Sequence, residues 1–146
     1  MRRSTTSFLF PDLNVWLALS YQAHAHHLIA QSWFVALPET ARLCFCRLTQ
    51  MGLLRMLTTQ AIMRDEVMTQ GQAWQVYDTW LADERVFFAE EPPTLEPAFR
   101  ALTRSGRAAN KDWGDSYLIA FARSAGFELV TFDKAMQGKA DGILLL

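Results

Sequence analysis

Three aspartates each stand beside an apolar run: Asp12 after Phe8-Leu9-Phe10-Pro11, Asp115 ahead of Ser116-Tyr117-Leu118-Ile119-Ala120-Phe121-Ala122, and Asp133 after Leu129-Val130-Thr131-Phe132. In an α/β protein the carboxyl ends of parallel strands share one edge, so acids far apart in sequence can converge there. Carboxylates brought that close repel one another. A hard cation such as Mg²⁺ or Mn²⁺ relieves the repulsion, and it also activates water and neutralises phosphate. The chemistry implied is metal-dependent hydrolysis of a phosphodiester.

Each acid also has a local explanation. Asp112 and Asp115 stand three apart at a helix start, where an N-cap acid and a first-turn acid satisfy free amides and the helix dipole. That explanation suits Asp112. Asp115 directly precedes a nearly uniform apolar helix, which puts it where the buried face meets the sheet edge. Asn14 is placed to orient a metal-bound water, or to bond locally within its helix. His24, His26 and His27 lie at a helix start with no acid or cysteine at a metal-ligand spacing, so capping or packing is the expected role. Cys44 and Cys46 alternate on one strand face and are expected to be buried free thiols. Of the five tryptophans, Trp113 alone lies beside the acids and is a candidate to stack on a base.

The elements that must position these residues follow from hydrophobic period and punctuation. Short strands are expected over 7–12, 43–46, 86–88, 128–131 and 143–145. Helices are expected over 13–19, 24–37 (stopped by Pro38), 49–57 and 72–81. Met51, Leu53, Leu54 and Leu57 are placed on a broad apolar face of the third of these. A further helix is capped by Thr94, admits Pro97 in its first turn and ends at Ser105-Gly106. The last runs from Asp112 to about Ala125, with Gly126 as its stop. Residues 58–69 read as an exposed connection. Strands alternating with helices predict a mostly parallel sheet covered on both faces.

The chain has 146 residues, the size of one domain, with 51% hydrophobic and 20% charged residues. The apolar balance suggests surface that a protein partner covers. The net charge of −1 supplies no global basic field, so nucleic acid would need a local patch. Arg104, Arg107, Lys111 and Lys134 lie near the acidic segments and are candidates for the RNA backbone, with solvated surface charge the equal alternative for each. The N-terminal segment lacks a signal-peptide pattern and no run approaches the ~20 apolar residues that span a bilayer, so a cytoplasmic protein without a membrane segment is expected.

Four segments, taken together, resemble the PIN-domain ribonucleases, and within them the VapC-type toxins of bacterial toxin–antitoxin pairs. Phe10 to Leu19 looks like the opening strand, acid and first helix. Arg47 to Arg55 resembles a later helix, Asp112 to Ala122 the segment with the central acid, and Leu129 to Lys134 the closing strand and acid. The resemblance implies a three-layer α/β/α sandwich around a mostly parallel sheet, with residues 1–146 forming a single PIN-like domain. It also implies Mg²⁺- or Mn²⁺-dependent endoribonuclease activity, a cognate antitoxin and a homodimer. Asp12, Asp115 and Asp133 then hold the metal. One departure stands out: the family usually places a Glu near Thr49 to Gly52, and this chain has Gln50. An amide oxygen can contact a metal or its water but brings no charge, which makes Asp112 a candidate substitute.

An aspartyl-phosphate phosphatase would want a second Asp where Asn14 stands. A receiver-type phosphoacceptor domain would want adjacent acids after its first strand, and none are present. The closer rival is a PIN-fold module that binds RNA or protein without cutting.

Overall fold

The apolar runs of this chain are too continuous to leave one sheet face in water, and only a sheet covered on both sides buries them. In the computed structural model, which describes residues 6–146, five short strands form that sheet. They are β1 (Phe8–Pro11), β2 (Arg42–Phe45), β3 (Val86–Phe88), β4 (Glu128–Thr131) and β5 (Leu144–Leu145). Their order is β3-β2-β1-β4-β5 and every pairing is parallel. Successive side chains point to opposite faces. Leu9, Leu43, Phe45 and Val130 accordingly enter one core, and Phe10, Cys44 and Leu129 the other.

The first core is covered by α1 (Leu13–Ser20), α2 (His27–Ala36), α3 (Arg47–Leu57), α4 (Gln60–Met63) and α5 (Gln70–Ala82). The second is covered by α6 (Leu95–Leu102), α7 (Trp113–Ala125) and the one-turn α8 (Lys134–Gln137). This is the three-layer α/β/α arrangement. Two aromatic stacks tie the helix layers to the sheet. The fully buried Trp16 of α1 lies on Phe45 of β2 with ring centroids 3.9 Å apart. Phe10 of β1 stacks on Phe121 of α7 at 4.9 Å. Each such pair adds about 0.5–1.5 kcal/mol beyond its burial. No helix of the described residues is long and apolar enough to cross a membrane.

Several boundaries depart from expectation for local reasons. The helix expected from His24 begins at His27, because the Nδ1 of His24 accepts the His26 amide and holds the segment in turns. Cys46 leaves the strand to become the N-cap of α3, where the Thr49 hydroxyl accepts the Cys46 amide at 3.0 Å. The connection expected over 58–69 contains α4 and a 3₁₀ turn at Arg64–Glu66, pinned by buried Met63. The helix expected to reach Ser105-Gly106 stops at Leu102, and Thr94 precedes it without a side-chain cap. Gly126 ends α7 in the left-handed region at φ 73°, which suits a residue without Cβ. Cys44 and Cys46 are buried free thiols, and burial pushes both thiols up from their ordinary value.

Candidate active site

The chain builds β1, β2 and β3 outward in one direction and then returns to lay β4 and β5 on the other side of β1. Strand order therefore reverses between β1 and β4, and their carboxyl ends frame a crevice, the usual ligand position in open α/β sheets. Asp12 leaves β1 there, its amide donating to the Val130 carbonyl at 2.8 Å.

Asp12 is also the N-cap of α1, and its Oδ1 accepts the Leu13 amide at 2.7 Å. Its Oδ2 accepts the Thr131 hydroxyl at 2.9 Å. The same hydroxyl oxygen accepts the Asp133 amide at 3.0 Å, so one fully buried Thr links the two acids. Asp133 caps α8, its Oδ1 accepting the Ala135 amide at 2.8 Å. Asn14 closes the junction by accepting the Phe132 amide at 3.3 Å, so it bonds to the backbone beside Asp133. Burial pushes the Asp12 carboxyl up from its ordinary value. The Thr131 and Leu13 bonds pull it back, while the negative charges of Asp115 and Asp133 push it the same way as burial.

Asp115 comes from the first turn of α7 and faces Asp12 across a cleft of about 400 Å³. The wall between them is largely apolar, formed by Leu13, Leu48, Met51 and Leu118, with Arg55 at the rim. Gly52 leaves room for the tip of the Leu13 side chain, from which a Cβ there would fall 2.8 Å. Lys139, on the turn after α8, donates to Asp115 Oδ2 at 3.0 Å and stands 3.6 Å from Asp112 Oδ1. The Asp115 carboxylate holds that ammonium above its ordinary value.

Asp112 sits at the N-cap position of α7 but bonds no free amide; its exposed carboxylate faces Lys139 instead. Gln50, the supporting candidate at the position where the family usually has Glu, is 5% exposed and does not line the cleft. Its Oε1 accepts Arg47 Nη1 at 2.6 Å, and its side chain lies near Tyr77 of α5. Met51, assigned to the buried face, is 59% exposed in the cleft wall. Trp113 is exposed, packs edge-on to Phe99 and shares with Arg100 and Arg104 a hollow of about 480 Å³ next to the cleft. Arg107 lines an adjoining hollow with Asp112 and Trp113. Lys111 and Lys134 are exposed. His26 stacks on Phe132 at 4.6 Å, and His27 Nδ1 lies 2.7 Å from the Ala18 carbonyl.

Sequence reasoning missed Thr131, Arg55 and Lys139. Thr131 carried a signal, a hydroxyl two residues before an acid at a strand end. Arg55 shares a helix face with Leu48 and Met51, at helical spacing. Lys139 carried none, being 24 residues from its partner.

Among the described residues no three His, Cys, Asp or Glu side chains close on one point. Mg²⁺ does not require that closure, because it keeps several waters and takes one or two carboxylates plus substrate phosphate. Asp12 and Asp115, hard oxygen donors lining one cleft, are a set that fits such an ion.

The profile of the PIN domain matches residues 9–142. Ribonuclease VapC41 of Mycobacterium tuberculosis is 40% identical over 131 residues, spanning 87% of this chain and 90% of the relative. Ribonuclease VapC39 of the same organism is 26% identical, spanning 92% and 94%. In fold, the chain is similar to the crystal structure of M. tuberculosis VapC20, described as a sarcin–ricin loop cleaving toxin. That likeness has a TM-score of 0.67 over 96% of this chain and 98% of the other, at 18% identity.

Proposed function

The chain belongs to the PIN-domain family, and from that premise we propose that it is a Mg²⁺- or Mn²⁺-dependent endoribonuclease, the toxin of a toxin–antitoxin pair. The observation that carries the proposal is the meeting of Asp12 and Asp115 in one cleft at the reversal of strand order, close enough to Asp133 for the negative charges to act on one another. A bound divalent ion supplies an acidified water and neutralises the phosphate on which it acts. Asp12 and Asp115 hold that ion, with Asp112 at the outer edge. Thr131 fixes the orientation of the Asp12 carboxylate and, through the Asp133 amide, the position of Asp133, which would help to hold the ion directly or through water.

Arg55 at the cleft rim and Arg104 and Arg107 beside Trp113 provide the local positive charge that a chain of net charge −1 otherwise lacks. Trp113 offers an exposed ring for base stacking. Lys111 and Lys134 contribute less specifically to the same field. The single PIN-like domain over residues 1–146, the cytoplasmic location, the cognate antitoxin and the homodimer belong to the same reading. Exposed apolar side chains, including Leu28, Val35 and Met51, support it by offering surface for protein partners.

The test is cleavage of a mixed cellular RNA pool, with an rRNA sarcin–ricin loop oligonucleotide included because VapC20 cuts that loop. Wild type and Asp12→Asn are each assayed with Mg²⁺, Mn²⁺ and chelator. Discrete fragments that require both metal and Asp12 support the proposal. A folded, metal-supplied wild type that binds RNA or an antitoxin without cutting would instead be a non-catalytic PIN-fold module.

A further inference from the structure

The four acids of the site are unequally provided with cations. Asp12 and Asp133 are satisfied by a hydroxyl and backbone amides alone. Asp115 and Asp112, one helical turn apart on α7, share the Lys139 ammonium at 3.0 and 3.6 Å. Among the described residues, Lys139 is the one cation within 4 Å of any of the four. Its own segment, the turn after α8, has no other side-chain bond to α7. The ion pair is half-exposed, so water and small ions reach it.

A divalent ion that takes Asp115 as a ligand adds two positive charges beside an ammonium already on that carboxylate. Like charges at contact distance repel, and the ammonium also occupies part of the oxygen surface that the ion would use. We propose that Lys139 is a built-in competitor of the catalytic cation: it offsets one of the two negative charges of the Asp112–Asp115 pair in the metal-free protein and sets how tightly Asp115 takes up metal. The proposal rests on the assignment of Asp115 as a metal ligand. Its consequence is a metal-free chain that tolerates its acidic cluster, and an activity whose metal threshold depends on a residue outside the ligand set. By linkage the effect is reciprocal, so metal must loosen Lys139 from Asp115 to the extent that Lys139 weakens metal.

The experiment titrates Mn²⁺ into the full chain and reads free ion by electron paramagnetic resonance, for wild type, Lys139→Gln, Lys139→Arg and Asp115→Asn. The expected result is that Lys139→Gln binds Mn²⁺ about fivefold or more tighter than wild type, that Lys139→Arg resembles wild type, and that Asp115→Asn loses tight binding. Unchanged or weaker binding by Lys139→Gln, with Asp115→Asn still defective, overturns the role of Lys139 and leaves the metal assignment standing. Wild-type-like binding by Asp115→Asn overturns both. A second readout needs no variant: acetylation of Lys139 in wild type, followed by peptide mass spectrometry with Lys111 and Lys134 as internal references, should rise when Mn²⁺ saturates the protein. No change on saturation would contradict the competition.

Discussion

Replacing Thr131 with valine removes one oxygen atom and little volume, yet that oxygen connects two acids of the site. Thr131 is fully buried, its hydroxyl donates to Asp12 at 2.9 Å, and it accepts the Asp133 amide at 3.0 Å. A hydrogen bond to a charged acceptor contributes about 1.5–3 kcal/mol, and a neutral one about 0.5–1.5 kcal/mol. The extra methyl of valine offsets part of this by burial, at about 0.8 kcal/mol. A net loss of about 2 kcal/mol follows, equivalent to roughly 6 °C in Tm for a chain of this length. Thr131→Val should also cleave more slowly at limiting metal, because Asp12 loses a bond that favours its ionised form. Thr131→Ser, which keeps the hydroxyl, should retain most of the activity. The decisive assay is a double-mutant cycle by thermal and urea unfolding in the wild-type and Asp12→Asn backgrounds. If the charged bond carries most of the effect, Thr131→Val costs clearly less once residue 12 is neutral. Equal costs in both backgrounds would refute the reasoning.

Further outcomes follow from the same geometry. Burial raises the Asp12 carboxyl above its unfolded value of about 3.8, so its contribution to stability is fully present below that pH and is lost as pH rises through the folded value. In chelator, Asp12→Asn should therefore gain on wild type as pH rises through that window, as unfolding midpoints measured across pH would reveal. A stability difference that stays constant through that window would count against a raised carboxyl. Because Gln50 faces Arg47 and Tyr77 rather than the cleft, Gln50→Glu should leave Mn²⁺ affinity unchanged. Gln50→Leu should instead cost about 0.5–1.5 kcal/mol by removing the acceptor of the Arg47 guanidinium, which unfolding titrations measure. Trp113→Ala should raise KM for RNA while leaving kcat and Tm near wild type, since the ring is exposed; an unchanged KM would remove it from the RNA surface.

Strands and helices were legible wherever an apolar run or a period was long enough to choose its environment. Leu43-Cys44-Phe45 and Leu129-Val130 suit only a sheet buried on both faces, and Gly126 stops α7 in the conformation that glycine alone takes freely. Asp12 and Asp133 could be read as strand-end acids because each follows an apolar run, and β1 and β4 end one and two residues before them. On α3 the pattern misled. Leu48, Met51, Leu53, Leu54 and Leu57 surround the helix, so hydrophobicity alone could not say that Met51 faces the cleft and Gln50 the interior. The one-turn α8 is too short to show a period, and the Lys139–Asp115 pair joins residues that only tertiary folding brings together.

The chemistry of the cut ends distinguishes the proposed reaction from its rivals. Water attacking the phosphate with departure of the 3′-oxygen leaves 5′-phosphate and 3′-hydroxyl ends, whereas attack by the ribose 2′-hydroxyl with departure of the 5′-oxygen leaves a cyclic phosphate and a 5′-hydroxyl. End-selective ligation and sequencing of RNA treated with wild type should recover 5′-phosphate ends at discrete positions in Mg²⁺ or Mn²⁺. Chelator and a folded Asp115→Asn should each abolish them. Cyclic-phosphate ends, or cleavage that persists unchanged in Asp115→Asn, would contradict a nuclease built on these carboxylates.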